Sequence, residues 1–385
     1  MKITDIQRYP IALSVGSGDV AAQTIIVRVR TDSGLAGLGE ATSDASDASR
    51  TLSTLVSWLK AYETALIGAD ALNINVVHHL LDRVSGQHPP GCQAARAAID
   101  MAVHDLIGKA RGCPVHEILG GAYRAEFELI AGVAGGSAEA AAAAARLAAS
   151  GGFRGLKVGI GDDVLPPVQS IAQLEEKCRS LLAVLEAAGT DVYVNADANQ
   201  SLGNPALVSR MFETVLAKHF HANLALQQPL HKLDLIGHAF LREKLPIPII
   251  LSESVVSPEA MMQIERIGAA DRIGLSVERV GGLQNAMRIA DICEAAAIGI
   301  NPTVTSHTAI GMSAHCHLAA ALHDPYPIDA GGCLSISESP VAGGPEIRNG
   351  HATLVKAPGL GVELDEDMLQ SMVMKTDERC GFDRQ

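Results

Sequence analysis

A series of residues in the middle and C-terminal parts of the chain can move protons or hold charge. Each follows a short apolar run: Lys157, Asp197, Gln227, Glu253, Ser276, His307 and Asp329. His307, in Thr305-Ser306-His307-Thr308, is the strongest titratable candidate, because an unshifted imidazole works near neutral pH. Lys157 has two readings. In a dry pocket or beside other cations its amine loses its proton readily enough to be a base; left charged, it binds a substrate carboxylate. Asp197 follows Val192-Tyr193-Val194 and precedes Asn199-Gln200, where a carboxylate either serves a polar site or caps a loop. Gln227 is neutral. Its amide oxygen binds a divalent cation weakly beside a carboxylate, and otherwise Gln227 and Gln228 hydrogen-bond across the strand ends. Ser252 and Glu253 are neighbours, so strand alternation turns only one of them inward unless the chain bulges.

The elements that must carry these residues have a clear rhythm. From residue 127 short apolar strands alternate with helical segments: strands at 127–133, 155–160, 192–197, 222–228, 247–252, 272–277, 298–304 and 326–329. The intervening stretches have helical spacing. A succession of about eight strands with helices between them over roughly 200 residues is the size of a parallel α/β barrel, in which chemistry sits at the C-terminal strand ends. The first 40 residues read as a three-stranded antiparallel sheet with a glycine-rich loop at 14–22. Helices follow, the clearest being the alanine-rich run Ala94 to Gly112, closed by Gly112 and Pro114. The expected organisation is an α+β capping domain over 1–125, a (β/α) barrel of TIM type over 126–330, and a segment over 331–385 that returns to the cap.

Composition narrows the function classes. Hydrophobic residues make up 48% of 385, enough for a large core. A formal net charge of −13 argues against nucleic acid as a partner. No apolar run approaches the ~20 residues of a membrane span. The opening MKITDIQRYPIAL carries early charges and no apolar core, so it does not read as a signal peptide, and a cytoplasmic location is the expectation. Seven cysteines without a CxxC pair read as reduced, mostly buried thiols.

The motifs together resemble the enolase superfamily, in the branch of muconate cycloisomerases and mandelate racemases. The resemblance runs over nearly the whole chain. It rests on Ala98-Ile99-Asp100-Met101-Ala102-Val103-His104-Asp105-Leu106, Leu119-Gly120-Gly121, Leu156-Lys157-Val158, Asp197-Ala198-Asn199-Gln200, Gln228-Pro229, Glu253-Ser254, Gly281-Gly282-Leu283 and His317-Leu318-Ala319-Ala320-Ala321. It implies Mg²⁺ on three acidic strand ends, a small carboxylate substrate, and an enediolate formed when a base removes the α-proton. The outcome would be racemisation, epimerisation or cycloisomerisation, with dehydration as the alternative. Asp197, Gln227 and Glu253 would hold the metal, Lys157 and His307 would be catalytic, and Asn199, Ser276 and His88 would touch substrate. Several implied charges are missing. Gly159 stands in place of a second lysine, Gln227 in place of a glutamate, Ser252 in place of an aspartate, and Ser276 in place of a lysine or aspartate. Two further readings therefore stand beside the first: a metal-free enzyme using Lys157 and Arg279, although Arg279 lies an odd number of residues beyond Ser276 and is expected to face away, and a non-catalytic ligand-binding relative. By the same resemblance the protein is expected to be a homo-oligomer.

Overall fold

The chain opens with three antiparallel strands, β1 (Ile3–Ser14), β2 (Val20–Thr31) and β3 (Ala36–Thr42), paired in that order. This is a computed structural model, and it describes every residue except 16–19, 45–46, 87–89, 134–136, 162–167, 218–222, 306, 375, 378–380 and 383–385. His88 and the centre of the 14–22 loop lie outside the described residues. Three helices cover the sheet: α1 (Leu52–Leu66), α2 (Ile74–Ser85) and α3 (Gln93–Arg111). Residues 94–108 of α3 are all buried, which is why the helix is alanine-rich around its whole circumference rather than on one stripe. It lies directly on β3. A Cβ added at Gly37 would sit 2.0 Å from the Ala102 carbonyl oxygen, and one at Gly39 would sit 1.9 Å from that of Ala98. Glycines on the strand and alanines on the helix let the two backbones touch. The short helix α4 (Val115–Ile118) follows.

Eight parallel strands then form a closed barrel of TIM type. They are β4 (Glu126–Val133), β5 (Gly155–Gly159), β6 (Tyr193–Asp197), β7 (Leu224–Gln227), β8 (Ile249–Leu251), β9 (Arg272–Leu275), β10 (Gly299–Pro302) and β11 (Ile328–Asp329). Each pairs with the next in order up to β10. β11 closes the ring, pairing with β4 and bridging from Asp329 to Thr303. Strands such as β7 and β8 are fully buried and almost wholly apolar, as parallel strands covered on both faces must be. Helices between them include α5 (Ala138–Ser150), α6 (Ile171–Ala188), α7 (Pro205–Met211), α8 (Leu235–Lys244) and α9 (Pro258–Ile267). All five are N-capped by their own Ser, Asn or Asp side chains. Among the described residues no helix is long and apolar enough to cross a membrane.

Two barrel helices are capped from elsewhere. One turn of helix, α10 (Val277–Val280), leads through Gly281 and Gly282 into α11 (Leu283–Ala295), which has no side-chain cap of its own. Asp100 of α3 supplies it, accepting from the Leu283 amide at 2.5 Å. α12 (Ala309–Ala321) begins at Thr308, and Glu40 of β3 accepts from the Thr308 amide (3.1 Å), the Thr308 hydroxyl (2.8 Å) and the Gly311 amide (2.7 Å). Carboxylates on the first domain thus complete helices of the barrel. The tail touches both. Its strand His351–Thr353 pairs antiparallel with β4, while Leu360 donates to Asp105 of α3 and Met374 donates to the Pro10 carbonyl.

Candidate active site

The C-terminal ends of the barrel strands surround a cavity of about 380 Å³. Lys157, Asp197, Asn199, Gln227 and Glu253 all line it, so five of the residues singled out from sequence meet in one place. Their positions follow from strand geometry. Lys157 is the central residue of β5, and its side chain emerges above the barrel floor. Asp197 and Gln227 are the last residues of adjacent paired strands, in register with each other. The turns just beyond are strained: Asn199, Gln200 and Gln228 have φ of 43°, 65° and 40°. That region is costly for residues other than glycine, and such outliers gather where function fixes the backbone.

Hydrogen bonds lock the centre. Lys157 Nζ lies 2.7 Å from Asp197 Oδ2 and 2.8 Å from Asp329 Oδ2. Burial alone would push the lysine pKa down. The two carboxylates outweigh it and hold the amine charged, well above its ordinary value. Of the two readings open for Lys157, this geometry favours a fixed cation over a free base. Asp329 is the partner to which the sequence had assigned no role. Gln227 uses both ends of its amide inside the protein, donating to Asp197 Oδ2 at 2.8 Å and accepting from Asn195 Nδ2 at 2.7 Å. Asp197 Oδ1 accepts from the Asn199 amide at 3.1 Å.

Ser252 and Glu253 both line the cavity, contrary to the expectation that one must turn away. β8 ends at Leu251, so strand alternation no longer applies at these residues. The buried side chain of Gln228 bends the segment by accepting from the amides of Ser252 (2.9 Å) and Ser254 (3.3 Å). Glu253 Oε2 is enclosed and has no hydrogen-bond partner. Burial raises its pKa, Asp197 adds to the rise, and Arg279 opposes it. Arg279 is a second correction. It lines the cavity and donates from Nη1 to Ser252 Oγ at 2.9 Å. Residues 277–280 are a helical turn, so counting by twos from Ser276 gives the wrong face. The sequence named Arg279 for a metal-free reading but, by an alternation rule applied past the strand end, expected it to face away.

Ser276 and His307 are not brought to the cavity. Ser276 is buried and caps α10, accepting from the Arg279 amide at 3.4 Å. His307 is 1% exposed, and its Nε2 lies 3.1 Å from Glu278 Oε2. Its Nδ1 meets the Thr305 hydroxyl at 2.9 Å. Burial would lower the imidazole pKa, but Glu278 and, more weakly, Glu40 raise it to about 9. Glu278 in turn is lowered to about 2 against its own burial, by Arg50 and His307. A histidine buried as a cation between two carboxylates, away from the pocket, is a structural ion pair. The sequence expected His307 to be catalytic; the structure sets it against Glu278 and not among the residues that line this cavity.

The donor set decides whether a divalent cation suits this cavity. Mg²⁺ asks for a near-octahedral shell of oxygens at about 2.1 Å, with charged oxygen preferred. Among the described residues no group of three or more His, Cys, Asp or Glu side chains is placed to hold a metal ion. Asp197 is already held by Lys157 and Gln227, and Gln227 turns its NH₂, not its oxygen, towards it. Turning that amide over sets oxygen against carboxylate, and NH₂ against the Asn195 NH₂. Asn195 Oδ1 has no partner, so both amides can turn together, but the oxygen of Gln227 then still faces Asp197. Ser252 offers a hydroxyl already bonded to a guanidinium. The residues present do not fit Mg²⁺. Gly159 completes the picture: among the described residues, a Cβ added there would meet nothing within 4 Å.

Comparison with known proteins follows the same lines. Residues 2–120 match the family described as Mandelate racemase / muconate lactonizing enzyme, N-terminal domain, and residues 139–368 match Enolase C-terminal domain-like. An N-succinyl-L-Arg/Lys racemase of Bacillus cereus is 28% identical over 391 residues, covering 98% of this chain and 99% of its own. The solved structure of that racemase superposes with a TM-score of 0.86 at 26% identity, over 97% of this chain and 98% of its own. Muconate lactonizing enzyme from Pseudomonas putida superposes with a TM-score of 0.88 at 27% identity, over 97% of this chain and 100% of its own. A dipeptide epimerase from Enterococcus faecalis, complexed with Mg and the dipeptide L-Leu-L-Tyr, gives 0.82 at 26% identity, over 94% and 100%.

Proposed function

Because this chain belongs to the mandelate racemase / muconate lactonizing enzyme branch of the enolase superfamily and is an enzyme of it, we propose that it removes and returns the α-proton of a small carboxylate, as a racemase or epimerase. The observation that carries this reading is Glu253: a carboxylate at the cavity wall, with one enclosed oxygen that, among the described residues, accepts no hydrogen bond. A proton acceptor needs a lone pair that no protein donor occupies; among the described residues none occupies that of Oε2, and the step requires the carboxylate to rotate it from its enclosed position into the cavity.

The other residues set up the step. An α-proton beside a carboxylate is barely acidic, and its removal spreads a second negative charge over the carboxylate as an enediolate. A cation fixed where that charge grows stabilises the transition state more than the ground state. Lys157 supplies it, held in place by Asp197 and Asp329. Asn199, whose Nδ2 donates to the Gly161 carbonyl at 3.2 Å, stands at the wall to orient the substrate. Glu253 takes the proton and the α-carbon flattens; return of the proton by Glu253 to the same face gives exchange with retention, and delivery from solvent to the opposite face gives inversion. Burial helps, since a carboxyl with a raised pKa is a stronger base once ionised and gives the proton back readily. The Mg²⁺-stabilised enediolate that the family implies is not used in this account, because the donor set does not fit the metal.

The test is α-proton exchange in D₂O, followed by proton NMR. The panel is N-acylated amino acids and dipeptides, the compounds named in the relatives' own activities. At least one compound is expected to exchange its α-proton, and Glu253→Gln should slow that exchange by about 10²-fold or more. A wild-type enzyme inert across the panel, with and without Mg²⁺, would sink the proposal.

A further inference from the structure

We propose that Arg279, seated on Ser252, takes over the charge that a divalent cation carries in this fold, so that the pocket binds and activates its carboxylate without metal. The inference deepens the proposed function and shares its site, but it stands on different atoms.

The departures from the family pattern are coordinated rather than scattered. The resemblance expects carboxylates at 227 and at 252 or 253. Here 227 is an amide and 252 a hydroxyl, Glu253 remains as the carboxylate of that pair, and the cation Arg279 enters the same space. The changes at 227 and 252 and the presence of Arg279 each make the site more positive, while Gly159 in place of a lysine makes it less so. The charged residues at the cavity wall are now two cations, Lys157 and Arg279, and three carboxylates, Asp197, Glu253 and Asp329. Two of those carboxylates are already engaged by Lys157. Placing Mg²⁺ among them would set two positive charges beside a guanidinium, with only one unengaged carboxylate in reach. The arginine is also aimed. Its Nη1 is fixed by Ser252 Oγ at 2.9 Å, and an apolar side chain at 252 could not brace it. That leaves the rest of the planar fork for a ligand, and a guanidinium matches the two oxygens of a carboxylate as a single Mg²⁺ ion does. Ser252 thus stands where one branch of the family has a carboxylate and at the same time holds the cation that replaces the metal.

The test begins with calorimetric titration of MgCl₂ into chelator-treated protein, which needs no substrate. The wild type is expected to give no binding at millimolar Mg²⁺. The triple variant Gln227→Glu, Ser252→Asp, Arg279→Met, checked for native circular dichroism, should bind at least ~10-fold more tightly than the wild type's limit, in line with restored charged ligands. If that variant does not fold, the double variant Gln227→Glu, Ser252→Asp takes its place. Binding of Mg²⁺ by the wild type would overturn the inference, as would a folded variant that still binds none. The exchange assay separates the inference from the reading it rests on. Exchange that persists unchanged in EDTA supports the inference, and exchange that appears only with Mg²⁺ refutes it while leaving the proton-transfer reading intact. A complete lack of exchange refutes that reading and leaves the titration result standing.

Discussion

At the scale of single residues, the side chains sort by what surrounds them rather than by type. His307 was the most persuasive titratable group in the sequence, and the fold makes it an ion pair instead. Its charge then has a pH signature. The imidazole rises from 6.5 to about 9 on folding, so its contribution to stability is complete below about 6.5 and is lost as pH climbs through about 9. Glu278 works in the opposite sense. Lowered from 4.5 to about 2, it contributes above about 4.5 and is lost as pH falls through about 2. Thermal melts between pH 6.5 and 9.5 should therefore show the wild type losing stability faster than His307→Gln. Near pH 6.5 the variant should be less stable by about 3–5 kcal/mol, the usual cost of breaking a buried pair by removing one partner. Parallel pH profiles for the two proteins would contradict the ion-pair role. Sequence identified the type and position of Lys157, Asp197, Gln227 and Glu253, and the fold gathers them. It could not assign Asp329 a partner, because the Lys157 contact joins residues 172 positions apart.

At the scale of elements, the barrel strands were legible because each is an apolar run bounded by turn residues. What failed was the extrapolation beyond their ends. Arg279 and the pair Ser252 and Glu253 lie just past β9 and β8, where a helical turn and a hydrogen-bonded bend replace the two-residue period. The cap helices were legible as well, but not their closeness to the sheet, which depends on glycines read at first only as part of a strand. Gly39 is the sharpest case, since a methyl group there would press on the Ala98 carbonyl at 1.9 Å. Gly39→Ala should lower the urea midpoint by an amount equivalent to ~1–3 kcal/mol, the common range for overpacking in a core. An unchanged midpoint would mean that α3 can retreat from β3 at no cost.

At the scale of the whole molecule, the first domain, the barrel and the tail share hydrogen bonds that none of them can satisfy alone. Asp100 caps α11, Glu40 caps α12, and Asp105 accepts from Leu38 (2.9 Å) and Leu360 (2.8 Å) while pairing with Lys109. Unfolding the cap would strip α11 of its only side-chain cap and α12 of the Glu40 bonds that add to its own Thr308 cap, at about 1–3 kcal/mol for each donor left buried. Differential scanning calorimetry is therefore expected to give one transition, with calorimetric and van't Hoff enthalpies in agreement. Two resolved peaks would show that the domains melt independently. None of these contacts was visible in the sequence. The carboxylates were plain, but they pair with backbone amides, which carry no residue signature.

The bare backbone at Gly159 has a consequence for protein engineering. It sits two residues along β5 from Lys157, on the same strand face, and a side chain built there would start out into open space rather than into a wall. Its φ needs no glycine, so a longer residue can be grafted without retooling the loop that follows. The scaffold thus keeps a socket for a second amine, and an ancestral-style catalyst could be retrofitted into this pocket by changing side chains alone.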